Sequence, residues 1–185
     1  MDTAERLIES ARELLWERGY IGTSPKAIQQ LAGAGQGSMY HHFTGKPDLA
    51  LTAIRRSAAE LRAQAEQTFT SGGSAADRIA GYLHKERDVL RGCRVGRLTQ
   101  DPDVIASPTL REPLRETFDW LRGRLAELVA EGREAGKFAT DLDPEDTAAA
   151  LIAVVQGGYV LARAADSVEP FERAIRGALA LLRAA

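Results

Sequence analysis

Apolar residues recur along this chain at intervals of three and four, and no stretch sustains the strict alternation of a half-buried strand. Leu7, Ile8, Ala11, Leu14 and Leu15 form one stripe with Glu9, Arg12 and Glu13 opposite, which predicts a first helix over 3–18 closed by Gly19. Thr23 or Ser24 caps a second helix with Pro25 in its first turn and Ala27, Ile28, Leu31 and Ala32 facing inward. Gly33-Ala34-Gly35 breaks it, and a short third helix spans 36–42 before Phe43. Gly45 then opens a long fourth helix towards residue 69, with Pro47 tolerated and Asp48 favourable in its first turn. Thr70-Ser71-Gly72-Gly73-Ser74 reads as a linker, followed by helices at 75–92, 93–106, 108–136, 143–166 and 169–184. Asp143-Pro144-Glu145 and Val168-Glu169-Pro170 carry helix-start signatures, and Gly136-Lys137 a stop. The expectation is an all-α chain of about nine helices.

Composition narrows the function. With 185 residues, 44% hydrophobic and 27% charged, the chain has the balance of a folded domain, and it can bury roughly 70% of its unfolded surface without a covalent staple. Its formal charge is −2, so contact with nucleic acid has to come from a local patch. The single cysteine, Cys93, leaves no internal disulfide framework and no cysteine cluster for zinc, and a reducing cytoplasm is the expected compartment. Asp2 and Glu5 stand where a secretory signal carries positive charge. The longest apolar stretch, residues 148–162, is interrupted by Gln156; as a helix it reaches about 22 Å against roughly 30 Å of hydrocarbon, so a buried helix is expected and not a membrane span.

Candidate chemistry concentrates in the third helix. Gln36, Ser38, Tyr40, His41 and His42 fall within seven positions, and a helix that short and polar is poorly stabilised by itself. Two short helices joined by a glycine-containing turn and braced by the first make a helix-turn-helix layout, whose second helix enters the major groove. Glutamine can bond adenine through both of its amide atoms, serine either base type, and tyrosine or histidine a phosphate. Over 23–62, Lys26, Lys46, Arg55, Arg56 and Arg62 face only Asp48 and Glu60, a local net of +3. His41 and His42 as adjacent residues diverge by about 100° on a helix and have no third ligand nearby, so no metal or cofactor is expected. Gly33-x-Gly35-x-Gly37 follows a helix and not a strand, which argues against a nucleotide loop.

Ala32-Gly33-Ala34-Gly35-Gln36-Gly37-Ser38-Met39-Tyr40-His41-His42-Phe43-Thr44-Gly45-Lys46 resembles the recognition segment of the tetracycline-repressor family, with Thr23, Ile28, Gly37, Ser38, Tyr40, His42, Phe43 and Lys46 matching the family pattern. Two positions depart from it: Gly35 replaces the usual serine or threonine cap, and Ala34 a valine. Gly92-Cys93-Arg94-Val95-Gly96-Arg97-Leu98 further resembles a branch typified by LmrA and YxaF, as does the stretch 138–163.

The resemblance implies a DNA-binding domain at 1–48, a ligand-binding and dimerisation domain at 49–185, and DNA contacts from Thr23, Lys26, Gly35, Gln36, Gly37, Ser38, Tyr40, His41, His42 and Lys46. It implies a homodimer on near-palindromic double-stranded DNA, its interface drawn from Ala149, Leu151, Ile152, Val155, Gly158, Leu179 and Leu182, released by a small apolar or amphipathic effector. Candidate pocket walls are Leu83, Cys93, Leu98, Phe118, Leu121, Gln156 and Tyr159, although an apolar stripe at helical spacing is more often plain core. Two other readings stay open. One is a helical binding protein or enzyme without DNA binding, against which no nucleophile–base set or paired carboxylates are found. The other is a regulator acting through Cys93, flanked by Arg91 and Arg94, which would favour a thiolate; the plain alternative is a small buried hydrophobe.

Overall fold

The structure is a computed structural model that describes residues 2–182; the side chain of Gln36 and positions 183–184 of the last expected helix lie outside the described residues. Among these it forms α1 (Thr3–Arg18), α2 (Pro25–Ala32), α3 (Gln36–His42), α4 (Lys46–Phe69), α5 (Ala75–His84), a 3₁₀ turn (Gly96–Gln100), α6 (Pro102–Ala106), α7 (Pro108–Glu134), α8 (Pro144–Ala165) and α9 (Glu169–Leu182). The all-α expectation holds. Two compact units are present, one of residues 1–60 with 93–116, the other of 61–92 with 117–185.

In the first unit, Leu7, Ala11, Leu14 and Leu15 of α1 are buried along with Ile28, Met39, Leu49, Ala53 and Ile54, and each such large side chain contributes roughly 1.5–3 kcal/mol. Asp2 caps α1 by accepting from the Glu5 N–H at 2.8 Å. One polar-face residue departs from expectation. Arg12 is buried, because α1 and α4 both supply it with partners: from α4, Ser57 Oγ accepts from its Nε at 3.1 Å and Glu60 pairs with its guanidinium, and from α1 Glu9 pairs with it at 2.7 Å.

Two expected helices are shorter or split. The helix expected over 75–92 stops at His84, where the backbone turns extended at Lys85 and the Arg87 guanidinium donates to the carbonyls of Leu83 (2.9 Å) and Lys85 (2.8 Å), satisfying acceptors the helix leaves open. The expected helix over 93–106 divides at Asp101-Pro102, since proline has no N–H to continue the preceding turn and Asp101 caps α6. Ser74, expected in a linker, forms a reciprocal capping box with Asp77 that starts α5.

In the second unit, α8 and α9 pair along Leu151, Val155, Gly158 and Ala162 on one side and Phe171, Ile175, Ala178 and Leu182 on the other. Gly158 is required by close approach, because a Cβ there would lie 2.8 Å from the Phe171 ring. Leu151, Val155, Gly158 and Leu182, expected at a dimer interface, are therefore spent within their own chain; Ile152 and Leu179 are half-buried, and Ala149 is exposed. The outer surface of α8 instead presents Ala149, Ala150, Ala153, Gly157, Val160 and Leu161, and α9 adds Leu181, 81% exposed. At 22 residues α8 is long and apolar enough to cross a membrane by length and composition, and 33% of its most apolar window is buried. Its bounds match the helix expected over 143–166 to within a residue at each end, but it is less buried than expected, because its outer face is left uncovered within one chain.

Candidate nucleic-acid interface

The α2–α3 corner is built by local hydrogen bonds. Ser24 is the N-cap of α2, its Oγ accepting from the Ala27 N–H at 3.1 Å. Thr23, read as a DNA contact, is fully buried and its hydroxyl donates to the Gly19 carbonyl at 2.7 Å, so it braces the turn before α2 and offers no surface. At the other end Gly33 adopts the left-handed conformation, and the Ala34 N–H reaches the Gln29 carbonyl at 2.9 Å. Arg6 of α1 donates through Nε to the Ala32 carbonyl at 3.0 Å, tying the C-terminus of α2 to α1.

Helix α3 follows at once. Its N-cap, Gly35, supplies no side-chain bond. Met39 is fully buried with Gln29 Nε2 3.6 Å from its sulfur, and Phe43 is buried just beyond the helix. Anchored on that side, α3 exposes Gly37, Tyr40 (55% exposed), His41 and His42, with Ser38 half-buried. These are the residues singled out from the sequence, and the helix holds their side chains on its outer surface; the side chain of Gln36 is outside the described residues.

Of the five basic residues counted nearby, two are engaged elsewhere. Arg56 pairs with Glu5 and, at 3.4 Å, with Glu9, and Arg62 belongs to the second unit, where it donates to the Thr117 hydroxyl at 3.4 Å. Lys26 and Arg55 are exposed, and Lys46 is half-buried with Nζ 3.9 Å from the centre of the Tyr20 ring. Burial pulls the Lys46 ammonium below the usual lysine range, while the carboxylates of Asp101 and Asp103 work the other way. Asp48, in the first turn of α4, accepts from the Thr44 N–H at 2.9 Å.

One residue of this unit escaped the sequence reading. Asp101, almost wholly buried, accepts through Oδ2 from the backbone N–H groups of Tyr20 (2.7 Å) and Ile21 (3.0 Å), and through Oδ1 from those of Asp103 (3.2 Å) and Val104 (3.4 Å). Its signal was present: Asp101-Pro102 repeats the cap-then-proline pattern of Ser24-Pro25 and Asp143-Pro144.

The seven candidate pocket residues do not gather in one unit. Leu83 and Leu121 are core, Tyr159 packs its ring 5.0 Å from that of Phe171, and Phe118 and Gln156 are half-buried, all in the second unit; Cys93 and Leu98 lie in the first. A surface groove of about 480 Å³ in the second unit is lined instead by Arg62, Ala63, Glu66, Trp120 and Arg124. Half-buried Cys93 accepts at Sγ from the Gly96 N–H at 3.2 Å. Its flanking Arg94 stacks 4.0 Å over the Trp16 ring and bonds Glu13, and Arg91 faces Asp88.

Comparison with known proteins agrees with this geometry. Residues 7–53 match the family model described as bacterial regulatory proteins, tetR family, and residues 73–178 the model described as tetracyclin repressor-like, C-terminal domain. The HTH-type transcriptional repressor DhaR of Mycobacterium sp. (strain GP1) is 24% identical over 91% of this chain and 86% of its own length. The HTH-type transcriptional repressor NemR of Escherichia coli K12 is 24% identical over 94% and 90%, and the crystal structure of its reduced form superposes with a TM-score of 0.85 over 98% of this chain and 97% of that one, at 23% identity. A regulatory protein TetR from Rhodobacter sphaeroides superposes at 0.86 with 26% identity, over 96% and 97%. The chain belongs to the tetracycline-repressor family of transcriptional regulators, with a helix-turn-helix DNA-binding N-terminal domain and a ligand-binding C-terminal domain.

Proposed function

We propose that this regulator is a homodimeric repressor that inserts α3 into the major groove of a near-palindromic operator and is released by a small apolar or amphipathic ligand. The observation that carries the reading is α3 itself: seven residues, anchored by Met39, with Gly37, Tyr40, His41 and His42 turned outward. Gln36 and Ser38 serve base edges, Tyr40, His41, His42, Lys26 and Lys46 serve phosphates, and Gly35 and Gly37 let the backbone come close. We assign this work to residues 1–48 and ligand binding with dimerisation to 49–185.

The uncovered outer face of α8, with Leu181 of α9, supports a two-fold interface. Such a dimer would set two copies of α3 about 34–36 Å apart, one helical turn of DNA. An effector acts by preferring a state in which that spacing is wrong, and a near-complete switch needs about 10⁴-fold preference. The protein works in the cytoplasm, on DNA, and catalyses no reaction.

A gel-shift titration on the DNA upstream of its own gene, repeated over a range of salt, tests the reading. A discrete complex that resists competitor DNA and dissolves with a candidate ligand supports it. Diffuse binding that salt abolishes, on that DNA and on duplexes selected from random sequence, would sink it.

A further inference from the structure

We propose that Asp101 is a positioning residue for DNA binding: its carboxylate clasps the α1–α2 turn and thereby sets the place of Lys46. The geometry demands more of this residue than a helix cap does. Capping α6 uses only Oδ1, which accepts from Asp103 and Val104. Oδ2 is turned the other way, onto the N–H groups of Tyr20 and Ile21, eighty residues earlier in the chain. Four N–H donors therefore converge on one almost wholly buried carboxylate. Among short side chains only aspartate presents acceptors on both sides: asparagine would aim its own NH₂ at two donors, and serine has a single oxygen.

The approach is close enough to dictate a neighbour. Gly19 sits at φ +73°, and a Cβ there would lie 2.9 Å from Oδ2, so glycine at this position is what lets the carboxylate reach the turn. The backbone held this way carries the Tyr20 ring, and that ring carries the Lys46 ammonium at 3.9 Å. Lys46 stands at the first position of α4, directly after the α3 segment. Clasp, ring and cation thus form one continuous chain of contacts in the first unit, ending at a side chain assigned to a phosphate.

The inference rests on that phosphate assignment, and the experiment separates the two. Salt dependence of binding is measured for the full chain on a duplex selected by the wild-type protein from random sequence. The variants are K46A, D101N, Tyr20→Leu and the double variant D101N/K46A, with Lys26→Ala as a control. Each phosphate contact contributes about 0.9 to the slope of log affinity against log salt, so losing the same contact in both subunits of the proposed dimer lowers it by about 1.8. K46A, D101N and Tyr20→Leu are each expected to show that loss, and the double variant no more than K46A alone. D101N combined with Lys26→Ala should lose twice as much, because those sites are independent. Tyr20→Leu keeps both backbone donors to Asp101 and removes only the ring, so it decides the matter even where D101N fails to fold. An unchanged slope in K46A overturns the phosphate assignment and this inference with it. A lowered slope in K46A beside wild-type slopes in D101N and Tyr20→Leu overturns the inference alone, as does a fall in affinity at constant slope, which a merely structural role would give.

Discussion

Gly35 stands at the N-cap of α3 with φ −67°, an ordinary value for any residue, and a Cβ there meets nothing within 4 Å. A serine would enter without strain and supply the cap bond that α3 lacks. Gly35→Ser is expected to stabilise the protein by about 0.3 kcal/mol, read as a higher urea midpoint at constant m-value. A larger residue-scale effect belongs to Arg12. Removing it as Arg12→Met takes a donor from the Ser57 hydroxyl and the Glu60 carboxylate and leaves Glu9 with Arg56, an expected loss of about 2 kcal/mol. Burial works to raise the Glu9 carboxyl, but Arg12 and Arg56 overcome it and hold the group below the ordinary glutamate range. A depressed folded-state value adds stability above the unfolded value, about pH 4.3, and that increment vanishes as pH falls through the folded one. Urea midpoints taken between pH 6 and pH 3 should accordingly fall more steeply for the wild type than for Arg12→Met. The missing cap at Gly35 was legible in the sequence; the role of Arg12 was not, because Arg12 sits on the polar side of the α1 stripe. Its burial depends on Ser57 and Glu60, some 45 positions away, and helical period does not register such partners.

At the scale of elements, legibility followed the range of the signals. The bounds of α1, α2 and α3 were readable because Gly19, Ser24-Pro25 and Gly33 end or begin helices through bonds of three to five residues. The segment 85–101 was not, since α5 is closed by an arginine side chain folding back and α6 is opened by a carboxylate shared with a distant turn. The polar face of α3 was legible for a different reason: the exposed side chains of Tyr40, His41 and His42 stand out as a local excess of hydrogen-bonding groups. Gly37 tests what that face does. A Cβ there meets nothing within 4 Å, so Gly37→Ala should stabilise the helix by about 0.5–1 kcal/mol through lost unfolded-state freedom. If α3 lies against DNA, the same methyl obstructs the approach, and operator affinity should fall several-fold while the melting temperature rises. Opposite signs in the two measurements would mark the position as functional. A gain in both would place this side of α3 away from the groove.

For the whole molecule the question is what covers the outer face of α8. The sequence reading chose apolar residues by type and so mixed the two faces of one helix; burial sorts them, sending Leu151, Val155 and Gly158 inward and leaving Ala149 outside, on the face that Ala153, Gly157, Val160 and Leu161 also occupy, with Leu181 of α9 likewise exposed. A two-fold axis through that face counts every substitution twice, once per subunit. In the proposed dimer, Leu181→Glu therefore removes two buried leucines and adds two carboxylates that must be desolvated, a cost of several kcal/mol against association at about 1.5–3 kcal/mol per leucine. The folded chain itself loses little, because Leu181 is 81% exposed within it. The expected outcome is a monomer by sedimentation with an unchanged circular dichroism spectrum and a weak, half-site footprint on DNA. Leu151→Ala should do the reverse, lowering stability by about 2–5 kcal/mol as a core truncation while the surviving folded protein stays dimeric. A Leu181→Glu chain that remained dimeric would move the axis off this face, and the apolar surface of α8 would then need another partner.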